Sequence, residues 1–107
     1  MERLDEIEKI FLELLSIESI NIFCSKPYGF ELFLMIYENT ISNNDYGIEE
    51  TFDSIKNNRC TRPAFINFIN YLEFQGIIHR AKSKIKKNKV LLRLPQNTII
   101  EVNQIVN

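Results

Sequence analysis

The chain has 107 residues, 45% of them hydrophobic, and its eight Phe and four Tyr suit one folded domain with an aromatic core. Its net charge is −1, and no apolar run approaches the roughly 18–20 residues that span a bilayer. Two cysteines, Cys24 and Cys60, are too few for a disulfide framework, so membrane and secreted-scaffold classes are set aside and a cytoplasmic protein is expected. The start Met1-Glu2-Arg3-Leu4-Asp5 is acidic and amphipathic, unlike a secretory leader.

Leu4, Ile7, Ile10, Phe11, Leu14, Leu15 and Ile17 recur at helical spacing among Glu6, Glu8, Lys9 and Glu13. They predict one amphipathic helix ending near Ser25, ahead of Pro27 and Gly29. A second helix is expected from Phe30 to Ile41; being apolar almost all round, it should be central and buried. Ser42–Gly47 reads as a polar loop, and Ile48, Phe52 and Ile55 mark a short helix. Lys56–Cys60 is a turn. Thr61 is a good N-cap, and Pro63 in the first turn lacks only an N–H that would go unbonded. That helix runs to Gln75, with Gly76 at the left-handed position after it.

Beyond Gly76 the period changes from helical to alternating. Ile77–Lys82 and Lys89–Leu94 read as two strands joined by the basic loop Ser83–Asn88. Pro95 stops the second strand, and Thr98 with Glu101 predicts a capping box that opens a last helix. The expected fold class is mainly α with a small β-hairpin (α+β).

Charge is divided unevenly along the chain. Residues 1–53 hold twelve acids against three bases, and residues 54–107 hold ten bases against two acids, a balance of −9 against +8. Such a chain suggests a polyanion partner for its C-terminal half. A short helix, a turn, a capped helix, Gly and a basic hairpin make the layout of a winged helix-turn-helix.

On a helical wheel, Phe68, Ile69 and Leu72 fall within roughly 60° of Phe65 and form the core face. Pro63, Asn67, Asn70 and Phe74 fall opposite, with Arg62, Ile66 and Tyr71 on the flanks. In a major groove Arg bridges guanine O6 and N7, Asn pairs with adenine N6 and N7, and an apolar side chain meets a thymine methyl. Taken alone, the asparagines read equally well as solvent-facing residues. The hairpin adds Arg80, Lys82, Lys84, Lys86, Lys87, Lys89 and Arg93 with no acid among them, and like charges on adjacent strands repel unless phosphates offset them. Lys84, Lys86 and Lys87 are placed at the tip, along the DNA backbone or in the minor groove. With Arg59, Thr61, Tyr71 and Lys82 they complete the expected double-stranded-DNA-binding set.

The stretch from Thr61 to Ile78, ending Leu72-Glu73-Phe74-Gln75-Gly76-Ile77-Ile78, resembles the recognition helix of MarR-type and staphylococcal SarA-type regulators over residues 30–94. The resemblance implies a homodimer with one recognition helix per half-site, and places Arg62, Pro63, Ile66, Asn67 and Asn70 toward DNA. Two features differ: the tip Ser83–Asn88 has no Asp-x-Arg pair, and only 12 residues follow Pro95. The shortened plan also resembles TubR-type centromere-binding partition proteins. That resemblance implies a compact winged-helix dimer that binds repeated DNA sites cooperatively. With so little chain after Pro95, dimerisation is expected through an N-terminal helix (residues 1–26) and a C-terminal helix (98–107), the acidic half facing away from DNA.

His79 stands alone among strand cations, so no metal or cofactor is expected. Cys60 lies beside Arg59 and Arg62 where a thiolate is favoured, although a packed or exposed turn residue is the more ordinary role. No phosphate-cradling glycine loop, nucleophile elbow or His-based dyad occurs, so an enzyme is not expected. Three functions remain: a sequence-specific transcriptional regulator, a plasmid or phage partition adaptor, and a winged-helix protein-interaction module using Ile66, Tyr71 and Phe74.

Overall fold

The computed structural model describes residues 2–106, with the side chain of Glu2 left out. Met1 and Asn107, the outer ends of the expected terminal helices, lie outside the described residues. The order is α1 (Glu2–Leu15), α2 (Glu18–Phe23), α3 (Gly29–Ser42), α4 (Ile48–Ser54), α5 (Arg62–Phe74), β1 (His79–Lys82), β2 (Val90–Arg93) and α6 (Gln96–Val106). The chain is mainly helical with one small antiparallel hairpin, the α+β composition expected from its patterning. No helix among the described residues is long and apolar enough to cross a membrane.

The single N-terminal helix expected as far as Ser25 is two helices. Ser16 ends α1 by turning its hydroxyl back onto the Glu13 carbonyl at 2.6 Å, and Ile17 is extended (ψ 120°). Asn21 Nδ2 donates to the Leu15 carbonyl, which the break would otherwise leave open. The corner aims Ile17, Ile20 and Phe23 into the core while α1 leaves to pack on α6. Apolar spacing continues through the break, so periodicity alone reads one helix where packing makes two.

Phe23, Phe33 and Phe65 are fully buried with Leu32, Ile36, Ile69, Leu72, Ile78, Leu92 and Leu94. Phe23 meets Phe33 edge-on with centroids 5.6 Å apart, and Tyr28 sits between Phe65 and Phe68. Gly29 is required where α2 meets α3: a Cβ there would lie 1.6 Å from the Phe23 carbonyl oxygen. Contrary to the expectation of all-round burial, Leu34 and Ile41 of α3 are open to solvent. The helix packs mainly on α2 and β2, with Phe30 against Phe11 of α1 and Tyr37 bonded to Asn103 of α6, and Leu34 and Ile41 lie outside these contacts.

Ahead of α5, Thr61 Oγ1 accepts the Ala64 N–H at 3.3 Å, the expected cap, with Pro63 in the first turn. Phe65, Phe68, Ile69 and Leu72 are its buried face, as the wheel predicts. Gly76 follows with φ +74°, a left-handed angle that a side chain disfavours. The chain then enters the hairpin, where His79 pairs with Arg93 and Lys82 with Val90. β2 is the inner strand: Leu91, Leu92 and Arg93 are buried, and Leu91 also bridges Gly47.

The last helix starts two residues before the expected cap. The Pro95 carbonyl accepts the N–H groups of Thr98 and Ile99, and Thr98 is buried inside α6. The Thr98–Glu101 capping box therefore does not form. Proline's fixed φ already suits the start of a helix, and burial withdraws Thr98 from a capping position. The radius of gyration is 14.2 Å, against about 13 Å for a compact chain near this length. The extents of 47, 27 and 24 Å show an elongated shape, and Leu4 and Ile7 of α1 are 62% and 60% exposed.

Candidate nucleic-acid interface

The turn before α5 is fixed by a residue absent from the expected set. Glu31, on α3, accepts the backbone N–H of Lys56 (2.8 Å) and Asn57 (3.1 Å). Those bonds, that of Lys56 foremost, hold its carboxyl below the ordinary carboxylate range. Helix α5 is thus presented by an anchored turn, and Pro63, Asn67 and Asn70 stand exposed on its outward side. Thr61 and Tyr71 are exposed as well, whereas Ile66 is half-buried against the core and offers only an edge.

Lys26 enters this surface from the acidic half of the chain. Its ammonium lies 5.7 Å from the centre of the Phe68 ring, and it shares an open depression of about 450 Å³ with Ser25, Ala64, Asn67 and Tyr71. Tyr71 stacks on Phe68 with ring planes 15° apart. The signal in the sequence was a lone base just before Pro27. Arg59, on the other side of the turn, places its guanidinium 4.8 Å from the Phe52 ring centre.

The expected base-reading residues are not equally free. Arg62 donates from Nε and Nη2 to the Glu49 carboxylate of α4, with Nε 2.7 Å from Oε1. The guanidinium holds Glu49 below its ordinary pKa, and Glu49 raises that of Arg62. Both side chains remain more than half exposed, so the pair is an orienting contact rather than a source of stability. Arg62 Nη1 makes no hydrogen bond among the described residues. Arg80 donates to Glu73 Oε1 (2.7 Å) and to Asn70 Oδ1 (2.8 Å). The carbonyl of Asn70 is therefore occupied, and its pairing with adenine would need Arg80 to move. Asn67 has no such partner among the described residues.

The seven hairpin cations divide into two groups, which corrects the expectation of a uniformly unpaired basic hairpin. Arg80 is paired with Glu73; Lys89 contacts Glu50 at 2.7 Å and Asp45 at 3.7 Å. Arg93 is buried and donates to the carbonyls of Leu92 (3.0 Å) and Asn44 (2.5 Å), burial pulling its pKa down. Acids from the loop before α4, from α4 and from α5 thus neutralise Arg80 and Lys89, and backbone carbonyls hold Arg93. Lys82, Lys84, Lys86 and Lys87 are exposed and have no ion pair among the described residues.

Asp45, Glu49 and Glu50 lie against the basic hairpin and α5. The acidic half accordingly does not face wholly away, because the chain folds these three residues onto the candidate face. The Tyr28 hydroxyl neighbours the half-buried Cys60 thiol, and burial, then that neighbour, raises the phenol's pKa. His79 is exposed on β1. The turn and α5 thus present exposed polar side chains, Asn67 being the asparagine of α5 with no hydrogen bond among the described residues, and the hairpin adds four lysines without an ion pair there. Compared with family models, curated proteins and solved structures, the chain matches none of them.

Proposed function

We propose that this chain is a winged helix-turn-helix protein that binds double-stranded DNA as a homodimer and regulates transcription. The observation that carries this is the outward side of α5, with Asn67 exposed and unpaired, next to a hairpin whose only free charges are four lysines. In this reading α5 enters the major groove and the hairpin is the wing. Asn67 pairs with adenine, and Arg62 offers Nη1 to a guanine while Glu49 steadies its other edge. Lys82, Lys84, Lys86 and Lys87 hold phosphates.

The dimer is supported by apolar surface that one copy leaves bare. Leu4, Ile7 and Leu12 of α1 and Ile100 and Val106 of α6 are exposed on two helices that pack together. A second copy of the same surface would cover them isologously.

Selection of bound duplexes from a random pool, with a mass measurement in solution, tests the proposal. One enriched motif, bound by a dimer and relaxed at one or two base pairs by Asn67→Ala, is the expected result. Each base pair so relaxed costs about 1–3 kcal/mol of discrimination. Unselective or absent duplex binding overturns it. One observation favours protein interaction instead: Phe74, on the outward side of α5, is 83% exposed. A stable heterologous complex abolished by Phe74→Ala, with no duplex binding at low salt, would establish that role.

A further inference from the structure

We propose that Ile85, at the tip of the β1–β2 hairpin, is an apolar wedge that enters the minor groove and kinks the duplex. The inference rests on the duplex-DNA reading above and adds what the tip does to the DNA. The connection of residues 83–88 contains neither Gly nor Pro, yet it is tightly built. Ser83 Oγ accepts the backbone N–H of Ile85 (3.1 Å) and of Lys86 (3.0 Å), and donates to Asp45 Oδ1 at 2.7 Å. Ser83 N–H bonds the Lys89 carbonyl and Lys89 N–H bonds that of Lys86, closing the loop on itself. Lys89 in turn is fixed through its ammonium to Glu50.

On this fixed tip Ile85 is 80% exposed, between Lys84 and Lys86. A β-branched side chain is stiff at χ1, so little conformational entropy is lost when it inserts. The flanking ammonium groups supply the complementary charge that brings a polyanion to the tip, and a narrow minor groove concentrates negative potential. Isoleucine is among the side chains that unstack a base step from that groove. An anionic lipid surface would meet the same lysines. A single isoleucine buries little against a bilayer, whereas a groove encloses it on both sides, so the duplex is favoured.

The test uses the full chain and an end-labelled mixed-sequence duplex of about 30 base pairs with one central TA step, the kind that kinks most easily. Energy transfer between the ends should report shortening on binding. Ile85→Ala should lose that shortening and bind about tenfold more weakly, the net of apolar burial over unstacking. Its salt dependence should match wild type, because no phosphate contact is removed. Ile85→Leu should restore both properties, and an unchanged melting curve should show that the exposed site leaves the fold intact.

Equal affinity and bending in Ile85→Ala, or a loss appearing only in the salt slope, overturns the wedge while leaving duplex binding in place. Absence of wild-type binding to the duplex at low salt overturns the DNA reading, and the wedge with it. Phosphatidylserine vesicles that bind wild type but not Ile85→Ala, more tightly than the duplex does, assign the tip to a membrane surface instead.

Discussion

The base and the tip of the hairpin come from one short basic stretch, yet the fold treats them in opposite ways. At the base, Arg80 and Arg93 are bonded to Glu73 and to backbone carbonyls, and Lys89, where the tip loop closes, is held by Glu50 with Asp45. Around the tip, Lys82, Lys84, Lys86 and Lys87 are exposed beside Ile85. Counting charges along the chain gives both regions the same weight. The comparison teaches that a basic segment offers free charge to a partner only where the rest of the fold has not already supplied the counter-charges.

The most disruptive way to probe this contrast is at the base. Arg93→Ala strands the Asn44 carbonyl in a part-buried position and removes packing under β2, so unfolding in urea should show a loss of about 2–3 kcal/mol. If stability held while duplex binding fell, the base would belong to the interface and the division would fail. Next in size, replacing Lys84, Lys86 and Lys87 together by Gln should leave stability within about 0.5 kcal/mol of wild type. The slope of log K against log salt should flatten by about one unit per lysine lost. Lys89→Gln is the control, since a lysine committed to Glu50 should leave that slope unchanged.

The smallest effect concerns pH. The Lys89 ammonium, then the Gly47 N–H, hold the Glu50 carboxyl below the ordinary carboxylate range. A pKa lower in the folded than in the unfolded chain stabilises fully above the unfolded value and is lost as pH falls through the folded one. Melting temperatures measured from neutral pH downward should therefore stay level, then drop below the ordinary carboxylate range. Glu50→Gln should drop less steeply there. An identical acid limb would mean that the Glu50–Lys89 contact does not anchor the hairpin.

Much of this arrangement was legible in local chemistry. Phe65, Phe68, Ile69 and Leu72 recur at helical spacing after a capping Thr61, and they form the buried face of α5. The change of period after Gly76 marks the hairpin, whose strands begin and end within two residues of the expected limits. Local chemistry misled at Ser16, where apolar spacing runs on through a corner, and at Thr98, where a residue typed for capping is buried. It also left out Glu31, Lys26 and Glu49, which reach α5 or the turn before it from distant parts of the chain.

The amino-acid order by itself determined the helical and hairpin elements, the two faces of α5 and the basic character of the hairpin connection. These depend on the spacing of apolar residues and on single-residue backbone preferences, both carried by neighbours in sequence. Only the tertiary structure decided which charges are free, which asparagine of α5 is unpaired, and that α1 leaves Leu4, Ile7 and Leu12 bare. Those properties depend on groups many residues apart arriving within hydrogen-bonding reach, and spacing along the chain carries no record of that meeting.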